Sequence, residues 1–343
     1  MLLVVFGAGA SYDSVAARRP MNDPPQTLDN DRPPLACQLF DARPGFLQDL
    51  DLFPECKSIV QELRISRTGG QFEEVLQRLQ SEGDRYPTRH MQLAAVRFYL
   101  RSMLWRCEER WQSHHRGVTN YINLLDQLNM WVPKPHPIVL VTFNYDRMIE
   151  QALGQFDCSF KEISDYIRYP RFQLIKLHGS VNWGRRVTTS IPNAINRSNP
   201  SISGELIKRA PDLTFSNQYK ILDHPDLVTD REGIFFPALA LPVEKKVVFD
   251  CPPAHVGALT QSLKNVRRIL TIGWRGSETA FLDLLRDNLP HPVPLMVIAK
   301  DGRESDDIGK HLETTGIVQD LFGYPGGFSD FVPSRDGEKF LSF

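Results

Sequence analysis

The chain begins with MLLVVFGAGASY, residues 1–12, and this stretch decides the fold. The apolar run from Leu2 to Phe6 ends at a glycine, which is typical of a buried strand in a parallel sheet. Gly7 and Gly9 then allow a tight turn because glycine carries no Cβ, and we predict that Ser11 caps a following helix. A helix N-terminus offers free N–H groups to a phosphate, although similar turns also occur in α/β proteins that bind no nucleotide.

Composition narrows the class of protein. The 343 residues are 41% hydrophobic and 24% charged, as in a soluble globular protein, and the net charge of −1 gives no overall basic field for nucleic acid. Five cysteines are scattered without a CxxC pair, which argues against a cysteine zinc site and fits a reducing compartment. No apolar run is long enough for a membrane span, and the first one lacks the basic residues of a signal peptide. We therefore expect a cytoplasmic protein without a metal.

Helical periodicity follows the first turn. Apolar residues recur three and four apart in several segments, and we predict that residues 35–135 form a helical insertion subdomain. Its aromatic residues fit either the core or a subunit interface, namely Phe98, Tyr99, Trp105 and Trp111. The proline-rich segment 20–34 before it is a loop, which is either a surface excursion or a lid over the glycine turn.

Short apolar runs alternate with helical segments from Ile138 onward. The predicted strands are 138–143, 172–177, 234–236, 269–272 and finally 295–299, whereas residues 185–233 are expected to be polar and irregular. This alternation predicts a doubly wound parallel sheet. The fold class is then α/β, with residues 1–34 and 136–343 forming a Rossmann-like domain around the helical insertion.

Polar residues collect directly after the predicted strands. Asn144 and Asp146 follow the second strand, His178 follows the third, and Gly273 to Ser277 follow the run at 269–272. The carboxyl ends of parallel strands share one edge of an open α/β sheet, where ligands bind. Alone, such a histidine is more often structural, and Asp146 could be only a helix cap. Four such features on one edge favour a binding site.

Four short motifs together resemble the sirtuin-like fold. They are GAGAS at 7–11, TFNYD at 142–146, KLHGS at 176–180 and IGWRGSE at 272–278. RPPLACQLF at 32–40 and FEEVLQRL at 72–79 also resemble the prokaryotic branch of this fold, whose members act as NAD hydrolases in anti-phage defence. The resemblance covers most of the chain and is weak over 185–233 and 303–343.

The resemblance implies roles for the motif positions that bind the cofactor. The turn that cradles the NAD diphosphate matches Gly7, Ala8, Gly9 and Ser11. Gly273 and Ser277 fall where the family holds the adenosine half.

The resemblance also implies a catalytic set. Asn144 matches the amide that orients ribose or the attacking water, and Asp146 matches the acid near the nicotinamide carboxamide. His178 matches the general base near the ribose hydroxyls. A histidine of near-neutral pKa and a carboxylate suit a reaction that builds positive charge on ribose.

The activity that the resemblance implies is that of an NAD glycohydrolase, which depletes NAD during abortive infection. The chain lacks the four-cysteine zinc ribbon of deacetylating sirtuins, and SVAARRP at 14–20 replaces their Asp-Phe-Arg segment. Lys300-Asp301 stands where Asn often contacts the adenosine ribose. The alternatives are a sirtuin-type protein deacylase, an ADP-ribosyltransferase, or a non-catalytic sensor of an NAD derivative.

A partner is expected because an ungated NAD hydrolase would poison its host. Beyond the sheet domain the chain has little room for a sensor, so the resemblance suggests control by another chain. A HerA-type DNA-translocating ATPase is the first choice and a short Argonaute the second, with nucleic acid contacted only through that partner. A ring-shaped partner favours a homo-oligomer, and the arginine- and aromatic-rich helical block is the expected interface.

Overall fold

The computed structural model describes residues 1–14, 30–66, 72–192, 197–241 and 249–342. Residues 20–29 of the proline-rich segment 20–34 lie outside these ranges, so the lid hypothesis stays a prediction. None of the helices within the described ranges is long and apolar enough to cross a membrane.

A six-stranded parallel sheet forms the centre of the fold, with its strands in the order β10-β9-β8-β1-β2-β3. The bounds are β1 Leu2–Phe6, β2 Ile138–Thr142, β3 Phe172–Lys176, β8 Arg268–Ile272, β9 Val293–Ala299 and β10 Val318–Pro325. The predicted fold class, α/β with a doubly wound parallel sheet, is confirmed. The expectation that the strand at 295–299 is the last is wrong. Edge strand β10 is mostly exposed, so it lacks the continuous apolar run that reveals the others.

The first apolar run lies at the middle of this sheet. All five residues of β1 are buried, and the strand pairs with β2 on one side and β8 on the other. From β1 the chain fills one side with β2 and β3, and later fills the other side with β8, β9 and β10. The strand order therefore reverses between β1 and β8, and ligands of doubly wound sheets bind outside the strand ends at such a point.

Residues 179–239 contain a second sheet, which is antiparallel and has the strand order β5-β4-β7-β6. Its strands are β4 Gly179–Val187, β5 Phe215–Ile221, β6 Thr229–Asp230 and β7 Gly233–Leu239. The expectation that 185–233 is irregular is therefore wrong. Strand β5 has no fully buried residue, and Asn217 interrupts the alternation of Phe215, Tyr219 and Ile221, so no continuous apolar run indicates this strand.

Helices occupy the connections and most of the predicted insertion. In chain order they are α1 Ala8–Tyr12, α2 Pro44–Asp51, α3 Lys57–Ser66, α4 Phe72–Ser81, α5 Pro87–His114, α6 Asn120–Trp131, α7 Met148–Leu153, α8 Asp165–Arg168, α9 Asn199–Lys208, α10 Pro253–Leu263, α11 Thr279–Asn288, α12 Gly302–Glu313, α13 Gly327–Ser334 and α14 Glu338–Leu341. The described part of 35–135 holds no strand, and its longest helix is the 28-residue α5.

Two hydrophobic cores hold these elements together. One surrounds the parallel sheet and includes α6, and the other joins helices α2 to α5 to the antiparallel sheet and α9. All four aromatic residues singled out in the helical block are buried within this chain, so core packing is the alternative observed. The division of the chain at 34 and 135 stays a prediction.

Candidate active site

A cavity of about 1090 Å³ lies over the carboxyl ends of β1, β2, β8 and β9. Pockets for small molecules and cofactors usually hold about 300–1,000 Å³, so this one has room for a large ligand. Every residue predicted for the site lines the cavity: Gly7, Ala8, Gly9, Ser11, Asn144, Asp146, His178, Gly273 and Ser277. The fold thus brings the whole predicted set together, while the role of each residue stays a prediction.

Glycines let the ends of β1 and β8 approach each other at the centre of the cavity. The N–H of Gly7 donates to the carbonyl of Ile272, and the N–H of Gly9 donates to that of Gly273, both at 3.1 Å. A Cβ on Gly7 would lie 2.4 Å from the Gly273 oxygen, and one on Gly273 would lie 2.3 Å from the Ala10 nitrogen. Gly273 also has a φ of +58°, in the left-handed region. The contact therefore requires glycine on both strands.

Ser11 is buried in a network of hydrogen bonds to three other side chains and does not cap a helix. The N-cap of α1 is Gly7, with no side-chain cap, because the helix starts before Ser11. Ser11 Oγ donates to Asp146 Oδ2 at 2.6 Å and bonds Asn144 Nδ2 and the Tyr121 hydroxyl at 2.9 Å each. One donor and two acceptor sites exhaust a hydroxyl, so a bond to a diphosphate would replace one of these three.

Tyr121 joins this network from the predicted helical insertion, residues 35–135. It lies on α6, and burial raises the pKa of its phenol well above the ordinary value, so it stays protonated. Because the proton of Ser11 goes to Asp146, the phenol donates to Ser11. A residue that no motif indicates therefore fixes the Ser11 rotamer.

Asn144 and Asp146 project from the loop after β2. Both N–H groups of the Asn144 amide are used inside the protein, on the Gly7 carbonyl and Ser11 Oγ, each at 2.9 Å. This leaves Asn144 Oδ1 as the acceptor for a ligand or water. Asp146 Oδ1 accepts from the Met148 N–H at 3.1 Å, so the carboxylate contacts the first turn of α7, whose N-cap is Arg147, and also orients Ser11.

His178 lies just after β3 with 8% of its surface exposed. Its ring packs 4.9 Å from the Phe143 ring and 6.3 Å from the Tyr145 ring, centroid to centroid. Trp274 stacks on Phe143 at 5.8 Å, with 14° between the ring planes. Aromatic walls thus limit the water that reaches this imidazole, which faces the same cavity as Asn144.

Glu108 is a cavity-lining residue that the sequence motifs do not indicate. It lies on α5 with 1% exposure, and it accepts bonds from the backbone N–H of Arg147 at 2.7 Å and from Arg147 Nε at 3.0 Å. Burial raises the pKa of this carboxyl to about 7, against the opposing effect of the Arg147 guanidinium. The site therefore contains an acid that titrates near neutral pH.

We predict that Glu108 makes the folded state less stable as pH rises. Its pKa moves from an ordinary 4.5 to about 7, so between these pH values the unfolded chain releases a proton that the folded chain keeps. The difference in unfolding free energy between Glu108→Gln and wild type should shift by about 3 kcal/mol in favour of the variant across this window. Urea unfolding at pH 4.5 to 8 measures the difference, and one that stays constant would contradict the assigned shift.

The other end of the cavity is built by residues that follow β8 and β9. Gly273 and Ser277 line it together with Lys300 and Asp301. Asp301 is the N-cap of α12, and its Oδ1 accepts from the Glu304 N–H at 2.9 Å. The resemblance implies an asparagine amide at this position. This chain has Asp301 instead, and its carboxylate caps α12 beside the cavity.

No group of three or more His, Cys, Asp or Glu side chains within the described ranges is arranged to hold a metal ion. The five cysteines are unpaired, and burial raises the pKa of Cys56, Cys107 and Cys251 to about 12. These three thiols stay protonated at neutral pH and act as small core residues. That the protein holds no zinc stays a prediction.

Comparison with known proteins adds one structural similarity. No protein-family model and no curated protein matches the chain. Among solved structures, a similar one is a triple mutant of a Sir2 homologue in complex with 2′-O-acetyl ADP-ribose. The match has a TM-score of 0.41 and 14% sequence identity, and it covers 100% of this chain and 93% of the other. A similarity this low neither assigns a family nor transfers a function.

Proposed function

We propose that the chain is an NAD glycohydrolase, which cleaves NAD to nicotinamide and ADP-ribose. The observation that carries the proposal is that His178 lines the same cavity as the Ser11–Asn144–Asp146 network and the glycines between β1 and β8. A dinucleotide lying across the reversal of strand order would have its diphosphate at the glycines and one nucleoside on each side.

The protein contributes to this reaction mainly by positioning the water and by stabilising the positive charge on ribose. The bond between the nicotinamide nitrogen and ribose C1′ breaks, its electron pair leaves with neutral nicotinamide, and water attacks the cationic carbon. In this proposal the Asp146 carboxylate stabilises the positive charge and Asn144 Oδ1 orients the water. His178 accepts the proton that the water loses.

Product analysis separates this function from the alternatives. A glycohydrolase releases nicotinamide and ADP-ribose in equal amounts without an acceptor. A deacylase needs an acylated peptide, and an ADP-ribosyltransferase leaves the ADP-ribose on an acceptor. Chromatography of NAD reactions with and without an acetyl-lysine peptide tests this. Turnover that requires the peptide and yields acetylated ADP-ribose would replace the proposal with a deacylase.

We further propose that the chain is an anti-phage effector controlled by a partner, first a HerA-type ATPase and second a short Argonaute. We expect the interaction surface within residues 35–135, where most of the large exposed hydrophobic side chains of the described ranges lie. Six of the seven within the described residues lie between 35 and 135, namely Leu47, Leu52, Ile65, Tyr86, Val118 and Met130. These, and not the buried aromatics, are the expected contacts.

This surface yields a prediction about assembly. Wild type is expected to be a homo-oligomer that co-purifies with a co-expressed neighbouring ATPase, which changes its NAD turnover. Leu52→Asp with Met130→Asp should weaken assembly, because the two side chains are 58% and 59% exposed and would be buried in an interface. Phe322→Asp is the matched control, since Phe322 is 45% exposed on β10. Light scattering that finds a fully active monomer without a partner would contradict the proposal.

A further inference from the structure

The peptide group between Asp146 and Arg147 is held at both ends by buried side chains. Its carbonyl oxygen accepts a hydrogen bond from the Lys176 ammonium, and its N–H donates to Glu108 Oε2 at 2.7 Å. Lys176 is 0% and Glu108 1% exposed. Lys176 is the last residue of β3, whereas Glu108 lies on α5. A buried cation and a buried carboxyl group thus clamp one peptide unit from opposite directions.

The lysine end of the clamp is itself braced. Lys176 Nζ donates to Glu150 Oε1 at 2.9 Å, and the same oxygen accepts from the Tyr166 hydroxyl at 3.0 Å. A buried ion pair seldom stabilises a fold more than apolar residues of the same volume do. The pair beneath the cavity therefore needs an explanation other than stability, and its bond to the Asp146 carbonyl provides one.

The glutamate end of the clamp is braced by the residues that follow Asp146. Glu108 Oε1 accepts from Arg147 Nε at 3.0 Å and from Gln151 Nε2 at 2.8 Å. The Arg147 guanidinium also lies over the Trp105 ring, 3.7 Å from its centroid. Trp105 and Glu108 both belong to α5, so this helix contacts Arg147 through an aromatic ring and through a carboxyl group.

The clamped peptide directly follows the carboxylate assigned to charge stabilisation. Asp146 reaches Ser11 Oγ at 2.6 Å and the Met148 N–H at 3.1 Å, and both contacts depend on the backbone direction at 146. Loss of either of the two bonds that clamp the 146–147 peptide would let the backbone at Asp146 shift, and such a shift would carry this carboxylate away from Ser11 Oγ. A displacement of about 1 Å at a catalytic group can lower a rate about 100-fold.

We propose that Lys176 and Glu108 are positioning residues that fix the Asp146 carboxylate through the 146–147 peptide. The kinetic part of this proposal rests on NAD cleavage as the proposed function, whereas the geometry can be tested without turnover. The Met148 N–H is the reporter, because it donates directly to Asp146 Oδ1 and loses that bond when the carboxylate moves.

The test compares Lys176→Met, Glu108→Met and the double variant Lys176→Met with Glu150→Met, because methionine keeps the length of the side chain and removes its hydrogen-bonding group. The double variant leaves no unpaired charge, so it keeps the test valid if the single lysine variant does not fold. Asp49→Asn is the matched control. Asp49 is a buried acid on α2 that bonds Ser102 and Arg106 of the same α5, at 2.7 and 2.8 Å, and it is absent from the cavity lining.

Residue-resolved hydrogen exchange should show the Met148 amide exchanging at least about tenfold faster in the folded clamp variants and unchanged in Asp49→Asn. With NAD, the clamp variants should lose about 100-fold in kcat while KM stays near the wild-type value, since the glycine contact is untouched. Unchanged Met148 exchange in the folded double variant would overturn the proposal, as would faster exchange with unchanged kcat. If wild type cleaves no NAD, the proposed function fails separately, and Met148 exchange alone decides the clamp.

Discussion

Replacing His178 or Asn144 by alanine is expected to lower the rate of NAD cleavage by about 100- to 10,000-fold, the usual effect of removing a positioned acid–base group. The two residues follow different strands, β3 and β2, and line one cavity. His178→Ala removes the proposed proton acceptor. Asn144→Ala removes Oδ1, the proposed hydrogen-bond acceptor for the attacking water. It also removes the two hydrogen bonds that Nδ2 donates to the Gly7 carbonyl and to Ser11 Oγ. Nicotinamide release measured under substrate saturation gives the loss in kcat.

The control for this prediction is His136→Ala, because His136 is exposed and is absent from the cavity lining. That variant should keep wild-type turnover, and circular dichroism should show all three variants folded. If a folded His178→Ala or Asn144→Ala protein turns over NAD at the wild-type rate, the catalytic assignment is wrong.

Gly7→Ala and Gly273→Ala should each damage both the fold and the binding of NAD. The added Cβ would meet backbone atoms at 2.4 and 2.3 Å, so β1 and β8 must move apart. Overpacking of this kind costs about 1–3 kcal/mol, and Gly273 adds backbone strain because its φ is +58°. Thermal unfolding measures the first effect, and calorimetric titration with NAD measures the second.

Gly204→Ala is the matched control for the glycine substitutions. Gly204 lies inside α9, and nothing lies within 4 Å of the position its Cβ would take. Alanine there should stabilise the protein by about 0.5–1 kcal/mol, because glycine is unfavourable inside a helix. Equal stability and equal NAD affinity in Gly7→Ala and Gly204→Ala would mean that the contact between the strands is not needed.

The sequence was sufficient for the five buried strands of the parallel sheet, but not for edge strand β10, because each buried strand is a short apolar run that ends near glycine or polar residues. Leu2–Phe6 and Ile138–Thr142 are buried along their whole length, and nine of their ten residues are apolar. The predicted site also follows from topology, since parallel strands share one carboxyl edge. The order of the strands therefore predicts that Asn144 and His178 lie at the same edge of the sheet.

What the sequence did not reveal depends on contacts between distant residues. Ser11 looked like a cap, but its partners come from positions 121, 144 and 146, and no local pattern indicates them. Glu108 belongs to no motif, and it becomes part of the cavity only because α5 packs against the loop at 146–147. Strand β5 is held by pairing with β4 and by Phe215, Tyr219 and Ile221, which pack on the two cores, and it contains no continuous apolar run.

The most direct test of the central claim is to incubate the purified chain with NAD, alone and co-purified with its genomic neighbour, and to quantify nicotinamide and ADP-ribose. We predict equal amounts of the two products, formed by the isolated chain or by the assembled complex, and at least about 100-fold less of both from the same preparation carrying His178→Ala. A folded protein that binds NAD and leaves it intact in both preparations would contradict the account and identify the cavity as a sensor of NAD.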